Sequence, residues 1–375
     1  MNKKKLIIIS LLILFSLIIL FCSTTAKQQD KTNKTKKDEV VEFADSGLEY
    51  FIRNKIGKSE GDIYQSDLLK ITSLNLYEPF IIVSDLSGIE HCKNLTELRI
   101  TGEINNINPL SKLTKLKILD LSFIAIKNKD ISPLANLINL EELDIEGLGY
   151  SFTGDKIYEK YEIDNIDALR KLINLKKLNL SENNISDISA LSKLAKLEEL
   201  YMRDNDIDNI DTLKKLVNLT GLDFSYNTIA DFSPLSNLTK LENLFIIVTN
   251  ISDIKVLSKL TNLKRLQLIG NEISDIKALS KLINLKEVWI GYNNITDIDA
   301  LSNLSNLTKL DIRNNTVTDI SPLTNLNNLK AFTIENNDMT IDFDTPNING
   351  EVVRKHINNE CKVLYEKGNT VIGTP

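Results

Sequence analysis

From Leu175 onward the chain repeats one 22-residue pattern, its units opening at Leu175, Leu197, Leu219, Leu241, Leu263, Leu285 and Leu307. A unit that short cannot bury its apolar face alone and must stack on its copies, so the chain is confined to a solenoid and excluded from a single globular core. Each copy reads L-x-x-L-x-L-x-x-N-x-I-x-D-I-x-x-L-x-x-L-x-x, as from Leu175 through Leu178, Leu180, Asn183, Ile185, Asp187, Ile188, Leu191 and Leu194. The L-x-L alternation has period two and predicts a short strand with one buried face. The asparagine recurs as Asn205, Asn227, Asn271, Asn293, Asn315 and Asn337, with Thr249 in the Leu241 unit. An amide there is expected to satisfy main-chain groups of adjacent coils and to form a ladder. Asp187, Asp231, Asp253, Asp275, Asp297 and Asp319 stand where an N-cap acceptor opens a short 3₁₀ turn. Pro109, Pro133, Pro234 and Pro322 fall in that turn, where a fixed φ is tolerated.

This grammar is the leucine-rich repeat. It extends N-terminally with irregular spacing, through units opening near Ile71, Leu95, Leu116 and Leu140 at intervals of 24, 21, 24 and then 35 residues. The chain resembles the internalin-like family of bacterial leucine-rich-repeat proteins, which carry the same I-x-D-I-x-P/A-L ending. Gly47 to Arg53 and Gly61 to Tyr64 also look like the helical cap preceding such arrays. The fold class is therefore expected to be α/β: a right-handed leucine-rich-repeat solenoid with a parallel sheet on its concave face and 3₁₀ turns on its convex face. The expected segments are a signal peptide or anchor (1–22), a polar tether (23–38), a helical cap (39–70), a solenoid of about eleven repeats plus a truncated twelfth (71–340) and an α/β C-terminal cap (341–375). In the last of these, Val352 to Asn359 reads as a helix and Cys361 to Tyr365 as a strand. The caps have a physical reason, since an open end exposes a sheet edge and an uncovered core.

A formal charge of -6 and no basic patch argue against nucleic acid as a partner. Lys3, Lys4 and Lys5 precede an apolar run from Leu6 to Cys22, and a polar stretch from Ser23 to Asp38 follows. That arrangement predicts export, with the membrane met only through the N-terminus. Three modes compete: lipidation at Cys22, cleavage after Ala26, and an uncleaved anchor. Lipidation is preferred because Cys22 closes the apolar run and a flexible tether follows, although Phe21 stands where a small residue is usual.

No catalytic constellation, cofactor motif or metal-ligand set is read. His91 and His356 are the only histidines and have no nucleophile partner at a common site. Cys92 occupies a core leucine position and reads as a small hydrophobe. Asp204, Asp206 and Asp208 imitate a calcium loop, yet Asn209 and Lys215 stand where Gly and Glu are required.

The concave face is more informative. The fifth, seventh and eighth residues of each unit are expected to line it, and in the units from Leu197 to Leu285 those fifteen places hold Tyr201, Tyr226, Phe245, Ile247, Val248, Ile269, Trp289 and Tyr292. The twenty-one matching places elsewhere hold only Tyr77 and Phe123, so the eight form a local stripe and not a property of the repeat. A protein or surface-glycan partner is expected there, in adhesion or recognition; a passive envelope scaffold is the alternative. The 35-residue unit adds an insertion near 147–164 with Tyr150, Phe152, Tyr158 and Tyr161, which offers further contacts.

Overall fold

The computed structural model describes residues 38–78, 81–147, 162–342, 348–358, 362–364 and 369–372. Thirteen strands form one parallel sheet, from Ser73–Leu76 through to Lys362–Leu364, and the first twelve stand in it in chain order. The expected phase is observed. Each of the first twelve strands opens two residues after a unit-opening residue, in the irregular units as well: Glu97 pairs with Ile118, Ile118 with Glu142, and Glu142 with Lys177. Leucines of the L-x-L pair, such as Leu178, Leu180, Leu222 and Leu244, are fully buried. Between strands the chain passes through 3₁₀ turns such as Ser189–Lys193 and Ser233–Asn237, and Pro109, Pro133, Pro234 and Pro322 each lie at the first or second helical position.

The asparagine ladder holds the strand exits. Asn205 Nδ2 donates to Leu180 O of the preceding coil at 3.0 Å and to Met202 O of its own coil at 3.2 Å, while its Oδ1 accepts from Ile185 N at 3.0 Å. Asn227, Asn293, Asn315 and Asn337 repeat this pattern. Thr249 breaks it: its hydroxyl donates to Asn271 Oδ1 at 3.2 Å. In the early units, whose repeats lack the asparagine, a second small parallel sheet of Glu103–Ile104 on Ala125–Ile126 takes over the same stretch of backbone.

The expected carboxylates open the 3₁₀ turns from one place earlier than a cap residue. Asp187 Oδ1 accepts from Ser189 N at 2.7 Å, and Asp231 from Ser233 N at 2.8 Å, across the intervening Ile188 and Phe232. The acid works as an Asx turn, which leaves the following apolar residue free to pack inward, as the buried Ile188 does.

Helix Ser46–Ile56 covers the first strand. Asp45 caps it by accepting from Leu48 N at 2.9 Å, Gly57 ends it at φ 68, and Leu48 and Ile52 are fully buried. The C-terminal helix runs Ile348–Asn358, opening four residues before the expected Val352, and strand Lys362–Leu364 pairs with Ala331–Thr333. Asn349 accounts for the early start: its Oδ1 accepts from Ile320 N at 3.0 Å and its Nδ2 donates to Thr318 O at 2.9 Å, which docks the first turn onto the array. No helix among the described residues is long and apolar enough to cross a membrane. Cys92 is a free, fully buried thiol, pushed up to about 12 by burial, whereas Cys22 and Cys361 lie outside the described residues.

Candidate partner-binding face

The strand register sets the stripe in one lateral row. Tyr201 stands beside Asp223, Asp223 beside Phe245, Phe245 beside Gln267, and Gln267 beside Trp289. At roughly 4.8 Å per strand the row spans on the order of 19 Å. Ile247, Ile269, Tyr226, Val248 and Tyr292 follow at the strand exits of the same coils. None of the eight is buried: Tyr226, Val248 and Tyr292 are 41%, 43% and 54% exposed, and the rest are half-buried. Some of their polar capacity is already used. The Tyr201 hydroxyl donates to Glu199 Oε2 at 3.1 Å, and burial together with the Glu199 charge pushes the phenol up to about 12. The Arg203 guanidinium lies 4.4 Å over the Tyr226 ring. The insertion aromatics Tyr150, Phe152, Tyr158 and Tyr161 lie outside the described residues.

Two features of this face escape a reading by hydrophobic pattern. The eighth residue of the repeat is left-handed in coil after coil: Glu182, Asp204, Tyr226, Val248, Tyr292, Asn314 and Asn336 have φ between 51 and 58, and Gly270 has φ 69. That residue turns the chain away from the strand, and Gly, Asn or Asp adopts it most cheaply. The candidate face instead holds two tyrosines and a valine there, and a β-branched residue in this region is a true outlier. A sequence signal was present in part, in Gly102, Gly147, Asp204, Gly270, Asn314 and Asn336 at that place.

The second feature is the role of the fifth residue where it is Asp or Asn. Asp120, Asp144, Asn179, Asp223 and Asp311 each accept the N–H two residues on, Asp223 from Ser225 at 2.8 Å. An Asp or Asn facing out of the strand is thus a turn anchor and not a neutral surface residue. Asn179 is tied further, its Nδ2 donating to Glu146 Oε2 at 2.9 Å and to Asp144 Oδ2 at 3.3 Å. Burial raises the Asp144 carboxyl above its ordinary range, with the Asp120 charge adding to it; burial likewise raises Glu146, with Asp144 and Glu182 adding. The concave face is therefore richest in acids ahead of Tyr201 and richest in large apolar groups from Tyr201 to Tyr292, with Asp223 and Gln267 between the aromatics.

Comparison with known proteins places this architecture. The model for leucine-rich repeats in two copies matches residues 173–215 and 261–303. An internalin from Listeria monocytogenes is 31% identical over 88% of this chain and 91% of its own, with a TM-score of 0.77. The chain belongs to the internalin family. Internalin C2 of the same organism is 30% identical over 59% of this chain and 92% of its own, with a TM-score of 0.53. A leucine-rich-repeat protein of Leptospira interrogans, 20% identical over 77% of this chain and 76% of its own with a TM-score of 0.61, shares the fold. No curated protein sequence matches. In this internalin-family solenoid the continuous concave sheet is consistent with protein binding.

Proposed function

We propose that this chain is an exported, envelope-attached recognition protein that binds a protein partner through the concave face between Tyr201 and Tyr292. The observation that carries this reading is the group of large apolar side chains on adjacent coils that the fold leaves half-buried or exposed while it fully buries the leucines beside them. Polar residues alternate with the aromatics, the mixed composition of an interface. A surface glycan is the second reading, favoured by the exposed rings of Tyr226 and Tyr292. Attachment through a lipidated Cys22 is part of the proposal and is tested by loss of fatty-acid labelling in Cys22→Ser.

For the face itself, Trp289→Ala is expected to cost at least about 2 kcal/mol of partner affinity while shifting the unfolding midpoint little, since Trp289 is only half-buried. Affinity and chemical denaturation are measured side by side. Unchanged affinity in the Tyr201, Phe245 and Trp289 triple alanine variant would sink the concave-face reading.

A further inference from the structure

A different surface carries an opposite charge. The residues on either side of the unit-opening leucines run along one edge of the sheet, where the chain enters each strand. From Asn94 to Lys330 those places include eight lysines and three glutamates, a local excess of positive charge in a chain of net charge -6, which corrects the expectation of no basic patch: the lysines are a repeat apart in sequence and meet only when the coils stack. Their grouping is uneven. Lys115, Lys117, Lys176 and Lys196 line a single recess of about 490 Å³ around Glu141.

The polar groups of this recess are only partly matched. Glu141 takes Lys117 at 3.0 Å and Lys176 at 2.7 Å, and the Lys176 and Lys117 ammonium groups hold its carboxyl down at about 2. Lys115 and Lys196 reach only neutral acceptors, Asn94 Oδ1 and Asn174 Oδ1, each at 2.7 Å. Those asparagines are fixed in turn. Asn94, Asn139, Asn174, Asn218 and their successors donate Nδ2 to a carbonyl of the preceding coil, as Asn139 does to Thr114 O at 2.8 Å, and so build a second, exposed ladder. One carboxylate thus lines the recess among four ammonium groups, each with three protons to donate, and although Glu198 and Glu142 also act on Lys176 from nearby, the lysines still outnumber the acids. The recess already coordinates one internal anion and has charge left for another.

We propose that this strand-entry edge binds a linear, flexible polyanion, with the Lys115, Lys117, Lys176 and Lys196 recess as its principal contact. Charge complementarity selects an anion, and the shape selects a flexible chain, because a planar bilayer meets only outermost charges and cannot enter a recess. The strip holds no aromatic side chain on which bases would stack and no arginine, which argues against nucleic acid. The site is independent of the concave stripe.

Inorganic polyphosphate is the probe. The full chain is expected to bind it at 50 mM salt and to lose roughly 100-fold in affinity by 200 mM, as about four phosphate contacts imply. Replacing the four recess lysines with Gln is expected to weaken binding at least about 10-fold. The same charge change made at Lys193, Lys215, Lys259 and Lys281, at the ends of the 3₁₀ turns, is expected to matter much less. Glu141→Gln removes the internal competitor and is expected to tighten binding, which keeps the test decisive if the fourfold variant does not fold. The proposal is overturned by no binding at 50 mM salt, by equal losses in the two fourfold variants, or by unchanged or weaker binding in Glu141→Gln. Displacement of polyphosphate by anionic vesicles at equal charge concentration would overturn the choice of a polymer over a bilayer.

Discussion

At the scale of single residues, the repeat separates side chains that hold the coil from those the coil merely carries. Asn227 Nδ2 shares its two protons among Met202 O, Phe224 O and Ser225 O, and its Oδ1 accepts from Ile207 N, all in the buried interior. Asn227→Ala leaves those groups without partners and is expected to cost about 3 kcal/mol or more. Asn262, whose Nδ2 donates once to Thr239 O at the exposed edge, is expected to cost about 1 kcal/mol when replaced by Ala. Urea denaturation of the two variants compares them directly, and equal losses would mean that water replaces the buried ladder. Val248 poses the reverse case. At φ 51 and 43% exposed it carries a backbone cost with little burial in return, and Gly270 in the next coil sits close enough that an added Cβ would lie 2.9 Å from Val248 Cγ2. Val248→Asn is expected to raise stability by about 0.5 to 1 kcal/mol while weakening partner binding. A lower unfolding midpoint would show that the valine is there for packing.

Among the elements, helix Ser46–Ile56 depends on one carboxylate more than on its own propensity. Besides capping Leu48 N, Asp45 Oδ2 accepts from Ser84 N at 2.8 Å, Ser84 Oγ at 3.0 Å and Asp85 N at 3.2 Å, so the cap and the first coil share an anchor. Partial burial acts to raise the Asp45 carboxyl, but the hydrogen bonds from Ser84, Leu48 and Asp85 outweigh it and hold it below its ordinary value of 3.8. Its contribution is therefore complete above that value and is lost as pH falls through the depressed folded value. Asp45→Ala is expected to cost about 2 kcal/mol at pH 7, with the gap to the parent closing as pH drops below about 4. A gap independent of pH would remove the charge from this account. The existence, phase and spacing of strands were legible because leucine burial at period two leaves one choice of face, and Leu222 against Asp223 shows it cleanly. The turn anchors were not, because Asp223 looks like any outward acid until its bond to Ser225 N is seen. The same holds for the exposed asparagine ladder, hidden within an L-x-x-L spacing that the core already explained. On the candidate face the positions of the aromatics could be read, whereas the left-handed backbone beneath Tyr226, Val248 and Tyr292 depends on φ and leaves little trace in hydrophobicity.

For the whole molecule, each coil touches only its neighbours, so surface chemistry can change along and around the solenoid without disturbing the core. The concave sheet passes from a stretch richest in acids to one richest in large apolar groups, and the strand-entry edge is basic, while one continuous line of buried leucine and isoleucine runs beneath both. The parallel sheet also makes the two ends of the array unlike, because every strand presents the same side toward the N-terminal cap. Lys55 Nζ reaches Ser73 Oγ at 3.3 Å, tying the cap helix to the first strand. A chain begun at Lys70 would have a bare strand at one end and the last sheet strand, Lys362–Leu364, at the other, so continuation of the parallel sheet would be head-to-tail and would not close on two copies, whereas pairing of two bare ends would close as a dimer. Such a truncation is expected to give a concentration-dependent ladder of sizes in light scattering, whereas a discrete dimer would refute this. The Ser46–Ile56 helix is in that sense a chain terminator: it fixes the solenoid's length by refusing the next monomer.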